Sequence, residues 1–185
     1  MFIVGRGRTA RETYPGAQSS SVGALRNRNV ATPYSLVGFT PATNPSTSLI
    51  AALLFTPKVS GVIMASALLD LVNGATGDTY GMAVAVYSGT DLSVSGGATT
   101  SNGWVIGSTV PPVIGGTGVT LEGLLGSSVE ALAASAQGDL AVAAAISQPL
   151  PVGVPVVIGV LIDELGGGHA LTNLSFTSLS ALELP

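Results

Sequence analysis

From Ser48 onward, the hydrophobic positions of the chain form short runs of about five to ten residues, which Gly, Pro, Asn and Asp separate. In the clearest run, Thr79–Ser88, two sets of side chains alternate: Tyr80, Met82, Val84 and Val86 on one face, and Gly81, Ala83, Ala85 and Tyr87 on the other. Alternation with a period of two is typical of a β-strand. No long amphipathic helical pattern occurs, so the chain is predicted to be all-β.

Comparable runs lie at Ser48–Phe55, Ser60–Leu69, Trp104–Val110, Val119–Leu125, Leu140–Ile146, Val156–Asp163 and Ala170–Leu184. Gly89–Asn102 is rich in Gly, Ser and Thr and is predicted to be a loop with room for a short strand at Leu92–Val94. Ser127–Ala136 fits a strand and one or two helical turns equally well. About eight strands with turns at regular spacing predict an antiparallel β-sandwich or barrel.

Residues 1–46 differ from the rest because they show no sustained periodicity. They contain four prolines, three consecutive serines and isolated large side chains. This composition is typical of an extended arm held by local contacts, and it also fits a disordered tail or a cloning remnant. We favour an arm over residues 1–46, followed by a β-sandwich domain over residues 47–185.

Positive charge is concentrated in this arm. Five of the six basic residues lie in the first 28 positions, the sixth is Lys58, and residues 59–185 carry nine carboxylates and no Lys or Arg. The arginines could neutralise phosphates, but the acidic body would repel nucleic acid. An acidic protein surface is the favoured partner, because arginine binds carboxylates through paired hydrogen bonds. The predicted docking residues are Phe2, Arg6, Arg8, Arg11, Tyr14, Arg26, Arg28 and Tyr34.

The chain has little charge for a free soluble domain. It is 46% hydrophobic and 9% charged, against a usual charged fraction of about 25%. Its apolar residues are mainly Ala, Val and Leu, and an Ala-rich core buries little area, so association with other subunits is expected. No apolar stretch reaches the roughly 20 residues of a membrane span, and no signal peptide is expected. The absence of cysteine excludes disulfides and thiolate chemistry.

Candidate catalytic residues are few. His169 is the single histidine and lies in a glycine-rich turn near Asp163 and Glu164. A Ser-His-Asp site would need a suitably presented serine, and no G-x-S-x-G sequence occurs. No pair of carboxylates is singled out for acid–base chemistry among Asp70, Asp78, Asp91, Glu122, Glu130 and Asp139. We therefore expect no enzyme activity, no cofactor and no metal site.

Five stretches of the body carry a family resemblance: Leu54–Gly61, Tyr80–Tyr87, Pro151–Val160, Gly166–Phe176 and Leu179–Leu184. Together they resemble the small jelly-roll domains of tailed bacteriophages that form trimers as capsid decoration (cement) proteins, head spikes or fibre tips. The resemblance covers roughly residues 53–185. It implies a jelly roll, a homotrimer and no catalytic residues. It also implies an N-terminal extension that reaches across the capsid or to a neighbouring subunit.

We therefore expect a non-enzymatic virion protein that decorates and stabilises a phage capsid as a trimer, with its arm docked on the major capsid protein. This expectation places the protein on the capsid surface, with neither membrane nor nucleic acid as a partner. Three alternatives stay open. The chain could be a receptor-binding head spike or tail-fibre tip whose Gly89–Asn102 loop touches the host. It could be a hydrolase that uses His169 and Asp163, or an archaeal or eukaryotic viral capsid jelly roll whose basic arm faces the genome.

Overall fold

A computed structural model of the chain describes residues 34–37, 41–43, 46–73, 77–99, 103–105, 110–132, 137–146, 148–167 and 171–184. These residues form eleven strands and no helix: β1 (Tyr34–Val37), β2 (Ala42–Thr43), β3 (Ser48–Phe55), β4 (Ile63–Asn73), β5 (Asp78–Gly96), β6 (Ala98–Thr99), β7 (Trp104–Val105), β8 (Pro112–Leu132), β9 (Gln137–Ala145), β10 (Val156–Gly166) and β11 (Leu171–Glu183). Within these ranges, no helix is long and apolar enough to cross a membrane. The prediction of an all-β chain is confirmed.

The strands form two sheets that pack against each other. One sheet has four strands in the order β1-β11-β4-β9, and the other has seven, in the order β6-β7-β3-β10-β5-β8 with β2 paired to β10. Only the β2–β10 pairing is parallel among the described strands. From β3 onward, the majority of the connections cross from one sheet to the other. In the larger sheet, β10 lies between β3 and β5. This arrangement is a jelly-roll-like β-sandwich, as predicted.

The core lies between the two sheets and is built from alternate side chains of each strand. On β5, the predicted alternation buries four side chains to 1% exposure or less: Tyr80, Met82, Val84 and Val86. Leu71 of β4 and Leu140 of β9 join the same cluster from the other sheet. β10 is buried at every position along Val156–Ile162, because this central strand is covered on both faces.

The paired strands β5 and β8 depart most from the sequence prediction. Gly89–Asn102 was predicted to be a loop, but β5 continues through much of it in register with β8. Shifts of register and the φ of 54° at Asp91 absorb the irregular positions. Leu92 and Val94 pack with Val157 on the outer face of the seven-stranded sheet. The short strand allowed at Leu92–Val94 is confirmed as part of β5, whereas the loop prediction was wrong for the other residues of β5 in this segment.

The segment Ser127–Ala136, which sequence left open between strand and helix, is strand as far as Leu132, and residues 133–136 lie outside the described ranges. Its Ser127–Leu132 part pairs with Ala83 through Asp78 of β5. The hydrogen bonds of this ladder outweigh the helix propensity of the alanines.

Two short pieces of the predicted arm pair with the body. Tyr34–Val37 forms β1, antiparallel to residues 173–176 of β11. Ala42–Thr43 forms β2, which pairs with Asp163 and Glu164 of β10. Pro41 between them is buried. Residues 1–33 lie outside the described ranges, so the arm prediction for them stays a prediction.

The C-terminal end of β11 is fixed to the β3–β4 connection by one buried carboxylate. Glu183 is 2% exposed and accepts hydrogen bonds from four consecutive backbone N–H groups. The donors are the N–H groups of Lys58 at 2.6 Å, Val59 at 2.8 Å, Ser60 at 2.7 Å and Gly61 at 2.7 Å. We name this arrangement the Glu183 clamp. Burial acts to raise the pKa of Glu183, but the four hydrogen bonds outweigh it, and the pKa lies below its ordinary value.

The Glu183 clamp also holds the loop between β9 and β10. The carbonyl of Gly61 accepts a hydrogen bond from Leu150 N–H at 2.9 Å, and that of Pro57 accepts one from Gly153 N–H at 2.8 Å. Gly61 has a φ of 74°, and a Cβ there would lie 1.9 Å from the Leu150 carbonyl oxygen, so only glycine fits. Two connections and the end of β11, all distant in sequence, therefore meet at one end of the sandwich.

Glu183→Gln is expected to lower the free energy of unfolding by about 1.5–3 kcal/mol, because an amide cannot accept at both former carboxylate oxygens and carries no charge. Urea unfolding monitored by circular dichroism measures the change. The control is Glu122→Gln, the same substitution at an exposed glutamate, with an expected effect within about 0.5 kcal/mol. Equal effects of the two substitutions would contradict the clamp.

The lowered pKa of Glu183 predicts a loss of stability in acid. A group whose pKa is depressed on folding stabilises the protein above the unfolded pKa, about 4.3 for glutamate, and this contribution disappears as pH falls through the folded value. Unfolding free energies measured between about pH 6 and pH 2.5 should fall more steeply for the unchanged protein than for Glu183→Gln. Parallel curves would assign the acid sensitivity to other carboxylates.

Candidate interaction surfaces

The predicted docking residues fall almost entirely outside the described ranges. These residues are Phe2, Arg6, Arg8, Arg11, Tyr14, Arg26 and Arg28. Tyr34 is the exception, since it begins β1 and pairs through its backbone with Phe176. Of the two residues in the hydrolase alternative, His169 also lies outside the described ranges, whereas Asp163 lies on β10.

A cluster of acidic and phenolic side chains lies in the core at the start of β5. Asp78 and Tyr80 are 0% exposed and Glu164 is 1% exposed. The Tyr80 hydroxyl donates a hydrogen bond to Asp78 Oδ2 at 3.2 Å, and Tyr80 pairs with Glu164 across the β5–β10 ladder. Burial, followed by the charge of Asp78, its hydrogen bond and the charge of Glu164, raises the pKa of Tyr80 far above its ordinary value.

This cluster is closed to a substrate. Gly167 has a φ of 120° and lies so close to Asp78 that a Cβ would overlap the carboxylate. The side chain of Asp78 is therefore covered by the start of the β10–β11 connection, which agrees with its lack of exposure. Among the described residues, no group of three His, Cys, Asp or Glu side chains is placed to hold a metal ion. The cluster is a polar part of the core.

The outer face of the seven-stranded sheet carries an apolar groove of about 450 Å³. Small residues form its floor, where Gly81 and Ala83 of β5 lie. Its walls include Leu121, Leu124 and Val129 of β8, which are 52%, 58% and 59% exposed. The carboxylate of Asp163 lies over Gly81 at one end, beside Leu165, which is 40% exposed. Several large apolar side chains thus surround one concave surface, a pattern typical of an interaction site.

The outer face of the four-stranded sheet has a different character. Ser66 and Ser180 share a hydrogen bond at 2.7 Å between their hydroxyl oxygens. Gln137 donates to both carboxylate oxygens of Asp70, at 3.0 and 3.1 Å. These contacts satisfy polar groups within the face, so the apolar groove is the more pronounced candidate for a macromolecular contact.

The described body carries far more negative than positive side chains. Lys58 is its one basic residue, against nine carboxylates: Asp70, Asp78, Asp91, Glu122, Glu130, Asp139, Asp163, Glu164 and Glu183. Three of these, Asp78, Glu164 and Glu183, are buried, and the others give the surface a negative field. A partner for most of this surface should be apolar or cationic.

The sequence predicted association with other subunits from the low charge and the small apolar residues, and this stays a prediction. It did not identify Leu121, Leu124 and Val129 as a set, because β8 was assigned as two uncertain pieces. It also did not predict the Glu183 clamp, whose donors are backbone N–H groups without any side-chain signature. The Gly61 position and the final Glu-Leu pair were the available signals.

No protein-family model matches the chain, and no curated protein matches it. Among solved structures, it is similar to the CBM22-1 and GH10 modules of the N-terminal endo-1,4-beta-D-xylanase 10B of Clostridium thermocellum, complexed with xylohexaose. The identity is 8% and the TM-score 0.31, over 88% of this chain and 27% of that chain. The chain thus spans about a quarter of the xylanase structure, and a likeness this low carries no argument.

Tyr80→Phe is expected to cost about 1 kcal/mol at neutral pH through loss of the hydrogen bond to Asp78. Because the pKa of Tyr80 is raised on folding, its contribution is complete below the unfolded value of about 10 and is lost as pH rises toward the folded value. Unfolding free energies between about pH 8 and pH 11.5 should therefore decline less steeply for Tyr80→Phe.

The comparison variant is Tyr87→Phe, since Tyr87 is half-buried and its pKa is raised by burial alone. We expect Tyr87→Phe to keep more of the alkaline decline than Tyr80→Phe. The reverse order would show that burial and the nearby carboxylates do not raise the pKa of Tyr80 more than burial raises that of Tyr87.

Proposed function

We propose that the protein is a non-enzymatic structural component of a bacteriophage virion, which decorates and stabilises the capsid as a homotrimer. The body associates with other copies through its apolar outer face. The basic N-terminal segment docks on the major capsid protein. The added contacts raise the energy needed to rupture the shell under internal pressure from packaged DNA.

The apolar groove carries the proposal. Leu121, Leu124 and Val129 are each more than half exposed on a body that has one basic residue and few exposed aromatic rings. Contiguous exposed apolar surface of this kind is typical of subunit interfaces. A catalytic role would call for charged side chains converging on the groove, and Asp163 is the one charged side chain that lines it, together with the polar side chains of Thr47, Tyr87, Ser127 and Ser128.

The division of charge supports the second part of the proposal. Residues 1–33 contain five arginines and one glutamate, whereas the body is acidic. The cationic segment is suited to an acidic protein surface, with Arg6, Arg8 and Arg11 as carboxylate partners and Phe2 and Tyr14 as apolar anchors. Tyr34 lies in β1 and stays among the proposed docking residues, together with those from Phe2 to Arg28.

The resemblance to phage decoration proteins adds a third argument. Two of the stretches that carry it, Leu54–Gly61 and Leu179–Leu184, are joined in the fold by the Glu183 clamp. These two stretches, which are distant in sequence, therefore form one structural unit.

Deletion of residues 1–28 is expected to abolish binding to capsids while the body keeps its oligomeric state. The deletion ends before β1, so the strand pairs of the sandwich are retained. Co-sedimentation with capsids that lack the protein measures binding, and analytical ultracentrifugation measures the oligomer. Capsid binding that persists after the deletion would reject the docking assignment.

The number of copies in purified virions separates this proposal from the receptor-binding alternative. Decoration requires copies in the hundreds, by analogy with the repeated sites of a shell, whereas a head spike or tail-fibre tip is present in about a few copies. Quantitative mass spectrometry of virions gives the ratio to the major capsid protein. A ratio of a few copies per particle would assign the chain to a spike or tail part.

A further inference from the structure

An exposed apolar tip lies at the end of the sandwich that the Glu183 clamp holds. Val59, Val152 and Val154 are 47%, 52% and 41% exposed. Val59 belongs to the β3–β4 connection, and the other two belong to the β9–β10 loop. The hydrogen bond from Gly153 N–H to the Pro57 carbonyl joins the two turns at 2.8 Å. We name these three residues the valine tip.

The backbone of the valine tip is fixed before any partner binds. The Glu183 carboxylate holds the N–H groups of Lys58 and Val59 at 2.6 and 2.8 Å. The Val154 N–H donates to the Pro151 carbonyl at 3.4 Å. A surface that is already ordered loses little conformational entropy on binding, so the tip is built to dock as a rigid projection.

Charge narrows the choice of partner. Lys58, the one basic residue of the described body, adjoins Val59 and is exposed. The apolar groove carries the opposite charge at one end, where the Asp163 carboxylate lies over Gly81. One chain therefore presents an apolar projection with a cation and an apolar concavity with an anion.

We infer that the valine tip of one copy docks in the apolar groove of a second copy, with Lys58 close to the second copy's Asp163. The inference rests on the proposed self-association and specifies its geometry. One such contact covers two exposed apolar features at once. It also brings the cation of an acidic body against a carboxylate, where other pairings of two bodies place acids against acids.

Symmetry favours this contact over a groove-to-groove contact. When the same patch meets itself, the result is a two-fold dimer, and both valine tips stay exposed. A contact between two different patches uses one tip and one groove of each copy, and it forms a closed ring when the rotation between copies closes and a filament when it does not. The proposed homotrimer requires an interface of this second kind.

A lipid surface is a poorer partner for the valine tip. Its three valines lack the aromatic side chains that anchor proteins at a membrane interface. The acidic body would also be repelled by anionic headgroups, against which Lys58 supplies a single positive charge.

Engineered cysteines test the contact directly, because the chain has none of its own. Val154→Cys and Val129→Cys are prepared as separate full-length variants, mixed, equilibrated and treated with a mild oxidant. The expected result is a disulfide-linked pair of chains in the mixture, and only background cross-linking in either variant alone. A double variant that carries both substitutions is expected to form covalent assemblies that stop at three chains.

Val113→Cys is the matched control for Val129→Cys, since Val113 is also on β8 and is 56% exposed, against 59%. Mixed with Val154→Cys, it is expected to give no cross-link. Circular dichroism and thermal unfolding establish that each variant is folded. Cross-linking of Val129→Cys with itself would replace the inferred contact with a two-fold groove contact and overturn the inference.

The outcomes distinguish this inference from the proposed function. A full-length protein that sediments as a monomer contradicts the proposed self-association itself. A protein that sediments as an oligomer but gives no Val154–Val129 cross-link overturns the inferred contact and leaves the self-association intact. Binding to vesicles of phosphatidylcholine and phosphatidylglycerol that Val152→Asp abolishes would make the tip a lipid contact and would also overturn the inference.

Lys58→Glu tests the charge pairing with an independent readout. The reversal is expected to weaken self-association about fivefold at low salt and less at high salt, because it places like charges together at the contact. Asp163→Asn in the same chain should recover part of this loss. Unchanged association in Lys58→Glu would remove the charge argument and count against the inferred contact.

Discussion

The Glu183 carboxylate and its four backbone N–H donors are the interaction on which one end of this sandwich depends. A buried carboxylate without partners would be strongly unfavourable, and here four short hydrogen bonds replace its hydration. The donors lie 122 to 125 residues away in sequence, so the clamp joins the last strand to the first connection of the body. Through Gly61 and Pro57 it also orders the β9–β10 loop. The valine tip is therefore held by this charged side chain together with the backbone hydrogen bonds of Gly153 and Val154.

Small residues in the strands explain both the compactness of the sandwich and the shape of its outer face. β10 runs through the middle of the larger sheet and is buried on both sides. At Gly159 a Cβ would lie 2.7 Å from Leu49 Cδ1, so the absence of a side chain lets its neighbours approach. Gly81 and Ala83 likewise carry little or no side chain, so the floor of the groove is deep, whereas the longer side chain of Leu124 forms part of its wall. The core itself is built mainly from Leu, Ile and Val rather than from the alanines that the composition suggested, and the small residues matter on the outer face, where they leave a concave apolar surface.

Much of the fold follows from the sequence pattern, because strands buried on one or both faces have a clear hydrophobic period. Ser48–Phe55 was predicted with the bounds of β3, and Val156–Asp163 covers most of β10. Parts of β5 and β8 were predicted as strands, including a possible strand at Leu92–Val94, but their full length and their pairing were not, since the irregular positions between these parts resemble a loop. The clamp was not predicted either, because a backbone N–H has no sequence signature. Long-range contacts of this kind override local composition.

The charge distribution sets the physical terms on which copies of this protein can meet. Each body has nine carboxylates and one lysine, so two copies repel each other at distances up to the Debye length, about 8 Å at physiological ionic strength. Association must therefore come from short-range apolar contact, which acts after the repulsion has been overcome or screened. Such contact is available only where carboxylates are sparse, and the groove and the valine tip are two such places. The five arginines of residues 1–33 lie apart from these surfaces in sequence, so attachment to a shell and association of bodies can be separate events in one chain.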